Sequence, residues 1–322
     1  MVNIDRITIR TWSMLGMRGT LGDSLVRLAE DNDKIFGLTS DLCKTSGMDK
    51  FSNKYPNRFI NVGIAEQNMI GIAAGLADSG YIPFATTFAN FATLRANEFV
   101  RHFMAYMNSN VKLIGFGAGF AMELFGNTHY GLEDISVIRS FPNISILQPS
   151  DGLSVYKCID LASKIVGPVY IRLTGKMNLP IVYKDDASFH FNRNNVLVEG
   201  NDIIIYTTGA ITRLALDVSS ELENNGISCR VVDVYRIKPF DISELLEKDY
   251  KLVICIEEHS TIGGLGSILS ESITDNNIQT RLLRFGTSNS YNLPGDYNYM
   301  LKVNGLTKES IVNKVLNIIK EN

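Results

Sequence analysis

No stretch of this chain approaches the roughly 18 consecutive apolar residues that a membrane helix needs. The opening residues, MVNIDRITIRTWSMLG, lack the long apolar block of a secretory leader. Cysteine is scarce. Cys43, Cys158, Cys229 and Cys255 are widely separated and form no CxxC pair, which reads as small hydrophobes in a reducing compartment rather than a disulfide frame. Charge of one sign is lacking as well: the net charge is −3, with 20% charged residues. A nucleic-acid binder would carry a basic stripe. Together these absences predict a soluble, cytoplasmic protein with neither a membrane nor a nucleic acid as its partner. What is present is apolar residue in quantity, 45% of 322 residues, enough for the cores of one large or two ordinary domains.

Short apolar runs alternate with longer helical patterns. Residues 34–38, 58–62, 81–85, 111–116, 144–148 and 169–173 read as strands, each with β-branched or aromatic content and a turn signal nearby. Helices are predicted over 19–31, 66–79, 90–107, 133–140 and 151–165. Such alternation implies βαβ units and a parallel sheet. The Pro-, Gly- and polar-rich run 174–195 breaks the pattern, and a domain boundary is placed inside it, giving units 1–185 and 186–322. A second α/β set follows, with strands 202–208, 228–234 and 251–258 and helices 210–225 and 307–320. KLVICIEE (251–258) is nearly continuous in apolar residues, as a central parallel strand is. The expected fold class is α/β, two consecutive domains, each a mainly parallel sheet with helices on both faces.

Several residues invite a chemical reading. Glu66, in NVGIAEQNM, sits where a β-type run ends and a Gly/Ala-rich helix begins. A carboxylate in a first helical turn is ordinarily a partner of the helix dipole. Here Ile70, Ala73, Ala74 and Ala77 leave little polar surface, so the helix reads as buried with Glu66 at its rim. A carboxyl group in that position is suited to holding or sharing a proton in acid–base work. Phe84, Phe88, Phe91 and Leu94 recur at helical spacing and read first as one apolar helix face. Beside Glu66, the alternative is an aromatic pocket for a flat heterocycle. His129 lies in a Gly/Asn/Thr-rich loop between a strand and a helix, where α/β folds commonly place ligands. His102 falls within a helix and His190 in the linker. GGLG (263–266) is an incomplete dinucleotide fingerprint. Glu257, Glu258 and His259 are contiguous, cannot converge on one metal, and read as a strand end or an interface. Arg18, Lys44 and Lys176 occupy loop-like stretches and, singly, are ordinary solvated cations.

GIAEQNMIGIAAGLA, then TFANFATLRANEFVR, then THYGLEDISVIRSFPNISILQPSD, resembles the C-terminal half of transketolases in order and spacing, and IKPFD (237–241) and EEHSTIGGLGS (257–267) resemble that family's C-terminal domain. The resemblance covers roughly residues 15–320 and is nearest to the stand-alone C-terminal subunits of split transketolases. It implies a pyrimidine-binding domain followed by a transketolase C-terminal domain, and thiamine-diphosphate chemistry. Glu66 matches the glutamate that hydrogen-bonds N1′ of the aminopyrimidine. Proton sharing there favours the 4′-imino tautomer, which removes the thiazolium C2 proton, and the ring then serves as the electron sink. Phe88 and Phe91 match the aromatic positions around the pyrimidine. His129 matches a histidine near the donor's C1–C2 hydroxyls. By looser alignment Arg18, Ser46 and Lys176 fall near substrate-phosphate ligands.

The departures are informative. Leu94 replaces the third aromatic residue. Phe125 stands where many transketolases carry an Asp that reads a substrate hydroxyl, and a phenyl ring cannot accept that hydrogen bond. Losing such a partner changes specificity, so an atypical, deoxygenated or nucleotide-linked sugar comes into view. The family's GDG…N diphosphate and metal motif is absent; PSDG (149–152) lacks the first glycine. The resemblance therefore implies a partner, an N-terminal transketolase-type subunit with the GDG…N site. That partner would hold the diphosphate and Mg²⁺ (or Ca²⁺), with an α2β2 assembly and the active site at the interface. The expected activity is transfer of a two-carbon ketol unit from a ketose to an aldose-type acceptor. The alternatives are the β subunit of a 2-oxo-acid dehydrogenase, a pyruvate-using acyloin or deoxyketose synthase, and an inactive regulatory subunit.

Overall fold

A computed structural model describes residues 4–185 and 187–321. Residue 186, with which the second expected unit begins, lies outside the described residues. The first sheet is built from β1 (Ile35–Thr39), β2 (Phe59–Asn61), β3 (Ile82–Phe88), β4 (Lys112–Phe116), β5 (Ser145–Leu147) and β6 (Val169–Leu173). The second takes β7 (Asn195–Val198), β8 (Ile203–Thr207) and β9 (Cys229–Asp233), then β11 (Leu252–Ser260) and β12 (Arg281–Thr287). Between β9 and β11 runs β10 (Arg236–Lys238), which returns to the first sheet and pairs antiparallel with β5. The strand orders are β10-β5-β6-β4-β3-β1-β2 and β12-β11-β8-β9-β7, parallel except at β10 and β7. The expected α/β architecture of two mainly parallel sheets with helices is the one observed.

Side-chain alternation along the strands builds the cores. Leu113 and Tyr170 point to one face of the first sheet, and Ile114, Val169 and Ile171 to the other. In the second sheet Ile204 and Tyr206 take one face, and Ile203 and Ile205 the other. The Leu113 face and the Ile204 face share one continuous core with residues of helices Glu66–Asp78 and Leu265–Asp275. The two sheets are therefore welded, not tethered. Each fully buried Leu or Ile in that seam contributes about 1.5–3 kcal/mol.

Three local expectations are corrected. The first helix runs over Arg6–Asp31 rather than 19–31, and Arg18, expected in a loop, is helical. Asp5 caps it by accepting the Thr8 N–H at 2.8 Å, and Gly16 (φ 68°) kinks it. A Cβ at Gly16 would lie 2.6 Å from the Lys176 carbonyl oxygen, so only glycine fits the turn and the close approach. Second, Phe84 and Phe88 belong to β3 and not to a helix face. The strand extends to Phe88 because β4 pairs along its whole length, Phe88 lying beside Phe116. Third, helix Glu66–Asp78 buries one face only: Glu66, Met69, Ile70, Ala73 and Ala74 are covered, while Gln67, Asn68 and Gly75 are exposed. At the other end of the chain Thr307 caps Lys308–Lys320 by accepting the Ser310 N–H, as its residue type suggests.

Candidate active site

The candidates gather beyond the carboxyl ends of the first sheet's parallel strands, where open α/β sheets bind ligands. Ser46 follows β1, Glu66 follows β2, Phe91 and Leu94 follow β3, His129 follows β4 and Lys176 follows β6. Glu66 opens its helix and is only 3% exposed. The positive end of the helix dipole supports a carboxylate there. Its Oε1 accepts a hydrogen bond from Arg95 Nη1 at 2.9 Å.

Arg95 ends a π-helical turn, Phe91–Arg95, which the Ala96 N–H closes on the Phe91 carbonyl at 3.1 Å. The wider i→i+5 turn sets Arg95 over the residue four before it, and such turns recur at functional sites. The guanidinium carbon lies 3.8 Å from the Phe91 ring centroid. Phe88 meets Phe91 edge-on at 5.4 Å. The His129 ring lies 5.3 Å from Phe88, 5.4 Å from Phe91 and 5.1 Å from Phe125. Asn90 Nδ2 donates to the Thr128 carbonyl at 2.6 Å, tying the His129 loop to the end of β3. His129 Nδ1 sits 2.9 Å from Thr128 Oγ1. Burial first, and then the Arg95 charge, push the His129 pKa below its ordinary value, so the ring is neutral at pH 7. Gly126 (φ 72°) kinks the short helical turn that leads to His129.

The remaining candidates divide. Phe125 is 63% exposed and packs against His129, offering a ring where an acceptor was expected by resemblance. Leu94 is 48% exposed and turns to solvent. Lys176 Nζ donates to Glu123 Oε1 at 2.5 Å, and the Tyr297 N–H donates to the same oxygen at 3.0 Å. The Lys176 ammonium, with the Tyr297 amide, lowers the Glu123 pKa from its ordinary value. Arg18 Nη1 donates to the Thr45 carbonyl at 3.1 Å. Ser46 is fully buried and its hydroxyl donates to the Cys43 carbonyl at 3.1 Å, so it does not face the cleft. Sequence reasoning missed Arg95, Asn90 and Glu123. A cation one turn after an aromatic residue, just past a strand, is the signal that would have found Arg95.

Behind the site lies a buried polar seam. Arg172 Nε donates to Asp134 Oδ2 at 2.8 Å, and Tyr170 OH to the same oxygen at 2.7 Å. Glu258 Oε1 accepts the Phe120 N–H at 2.6 Å and its Oε2 accepts the Tyr297 OH at 2.6 Å. Glu257 accepts the Leu265 and Gly266 N–H groups, capping a helix start. The three contiguous residues of the β11 end thus point to separate structural tasks, as their adjacency suggests. Burial raises Glu257 and Glu258 to about 7 and lowers His259 to about 4.

A buried carboxylate at a helix start, joined through Arg95 to a cluster of aromatic rings and a histidine at the carboxyl ends of parallel strands, is a layout suited to binding a flat heterocycle. The transketolase pyrimidine-binding domain matches residues 13–180, and the transketolase C-terminal domain matches residues 193–311. The chain belongs to the transketolase family and is transketolase-like in its match to enzyme subunits of that family. It is 37% identical over 298 residues to a 6-deoxy-6-sulfo-D-fructose transketolase subunit of Clostridium sp., covering 92% of each chain. It is 38% identical over 284 residues to an apulose-4-phosphate transketolase subunit of Actinobacillus succinogenes, covering 87% of this chain and 91% of that one. Among solved structures, a split-gene transketolase described as an inactive β4 tetramer superposes with a TM-score of 0.84 at 38% identity, covering 94% and 97%.

Thiamine diphosphate is the family's cofactor, and the residues present fit its aminopyrimidine: an acceptor carboxylate kept from water and, one guanidinium away, an aromatic face. Among the described residues, no group of three or more His, Cys, Asp or Glu is placed to hold a metal ion. None of their helices is long and apolar enough to cross a membrane.

Proposed function

We propose that this chain supplies the pyrimidine half of a cytoplasmic two-carbon ketol transferase active at an interface with an N-terminal subunit. The observation that carries the reading is Glu66, buried and joined through Arg95, which donates to its Oε1, to the Phe91 ring that packs with Phe88 and His129. In this reading Glu66 holds the proton at N1′ of the aminopyrimidine. Phe88 and Phe91 wall the ring, and Leu94 borders it. Neutral His129 accepts from a donor hydroxyl, keeping the reacting carbonyl oriented. Bound thiamine diphosphate would supply the C2 nucleophile and electron sink. The partner would bring the GDG…N site, the diphosphate contacts and Mg²⁺, in an α2β2 assembly. Arg18 and Lys176 would meet the anionic end of the sugar.

The donor would be an atypical ketose. Its support is Phe125, an apolar ring against His129 at the position where a hydroxyl-reading acceptor was expected. The names of relatives acting on sulfofructose and apulose phosphate point the same way. The test is reconstitution with an N-terminal transketolase-type subunit from the same organism. Ketol transfer from hydroxypyruvate or a ketose, with no turnover by this chain alone, is the expected result. Turnover of pyruvate only would replace this reading with an acyloin or deoxyketose synthase. Cofactor binding without turnover of any donor would leave a scaffold.

A further inference from the structure

Arg95 holds both of the elements that an aminopyrimidine would use. Its Nη1 donates to Glu66 Oε1 at 2.9 Å, and its guanidinium lies 3.8 Å above Phe91. A guanidinium is flat, delocalised and rich in N–H donors, and it stacks on aromatic faces much as a heterocycle does. A ring stacked on Phe91 sits at the same separation. Phe91 already meets Phe88 and His129 with its other surfaces. The guanidinium and an incoming heterocycle therefore exclude one another on that face. The Arg95 side chain is 47% exposed, so it has solvent into which to swing.

We propose that Arg95 is an internal placeholder for the cofactor's aminopyrimidine, filling the pocket and neutralising Glu66 until assembly and cofactor binding displace it. The proposal rests on the pyrimidine-half reading above. The unassembled chain would otherwise carry a buried carboxylate without a partner, a costly state. With Arg95 in place the chain is stable alone, and the cofactor binds only the fraction of molecules in which Arg95 has left. Apparent affinity is lowered by that fraction. Arg95 is thus a positioning residue whose removal has opposite effects on the free chain and on the loaded complex.

The experiment has two arms. Thiamine diphosphate with Mg²⁺ is titrated by calorimetry into the complex of this chain with its N-terminal subunit, using wild type, Arg95→Ala and Arg95→Lys. The melting temperature of the cofactor-free chain is recorded for each. Arg95→Ala is expected to bind about three- to ten-fold tighter, while the free chain melts lower. Arg95→Lys keeps the charge but not the flat stack and falls between. The His129 resonance of the free chain should titrate at higher pH in Arg95→Ala, which checks that the guanidinium sits beside the ring before assembly, while tighter cofactor binding is the outcome a purely structural role would not give. If Arg95→Ala does not fold, Arg95→Gln reads the same affinity without the charge. Equal or weaker cofactor binding by the variants, with wild type still binding, overturns the placeholder alone. No binding by any form overturns it together with the pyrimidine-half reading.

Discussion

Glu258 and Phe120 meet across 138 residues of chain: the carboxylate at the end of β11 accepts the Phe120 N–H at 2.6 Å. Phe120 belongs to the loop between β4 and His129. A second-sheet residue thus braces the loop that carries a first-sheet candidate. Burial raises the Glu258 pKa to about 7. A raised carboxyl pKa means the folded state favours the protonated form. The associated stability is present below the ordinary value near 4.5 and is lost as pH rises through about 7. The Glu258 contribution therefore favours pH 5 over pH 8, alongside those of Glu257 and Asp233 and against those of His259 and Lys112, which burial lowers. Glu258→Gln, which preserves shape, should remove that share, so that urea stability at pH 5 falls relative to that at pH 8. An unchanged difference between the two pH values in Glu258→Gln denaturation curves would contradict this assignment.

The Asp134–Arg172 pair is fully buried, with Nε to Oδ2 at 2.8 Å. Removing one member of a buried pair leaves an uncompensated charge and costs about 3–5 kcal/mol. Asp134→Ala should lower the urea midpoint accordingly. A loss below about 1 kcal/mol, the range of exposed pairs, would show the seam to be hydrated.

Glu66→Gln should fold normally, because the amide oxygen still accepts from Arg95. In the reconstituted complex it should abolish proton exchange at the cofactor's C2, followed by NMR. Exchange at the wild-type rate would strip Glu66 of its proposed role.

His129→Ala should reduce kcat/KM for the donor about 100-fold, the scale of one lost active-site hydrogen-bonding group. Cofactor affinity should change little. A loss confined to cofactor affinity would place His129 in the ring wall instead.

Phe125→Asp restores a hydroxyl acceptor beside His129. It should shift preference toward ordinary polyhydroxylated ketose phosphates, read as a change in the ratio of kcat/KM values. An unaltered ratio would remove Phe125 from specificity.

The site was legible in part. Glu66, Phe88, Phe91 and His129 stood out because each lies at or after the end of a strong strand signal, and the structure packs the last three together. Glu66 joins them through Arg95. Ser46 did not behave alike: residue type and spacing cannot tell a hydroxyl facing a cleft from one donating to a carbonyl three residues away. The Phe84–Leu94 spacing misled because helical and strand periods overlap in short aromatic runs, and β4 pairing carried the strand to Phe88. Arg18 looked like a loop residue because Gly16 and Gly19 flank it, yet the helix tolerates the Gly16 kink through its contact with the Lys176 backbone.

By itself, the sequence determined the alternation of buried strands and amphipathic helices, the two consecutive α/β units, and the carboxylate at a helix start. Those features are local, written in hydrophobic period and turn chemistry over windows of a few residues. Only tertiary structure decided that β10 returns to the first sheet, that Glu258 braces the His129 loop, and that Arg95 covers Phe91 while pairing with Glu66. These contacts join residues far apart in the chain or depend on one widened turn. Packing selects them, because a buried carboxylate must find a donor wherever the fold can bring one.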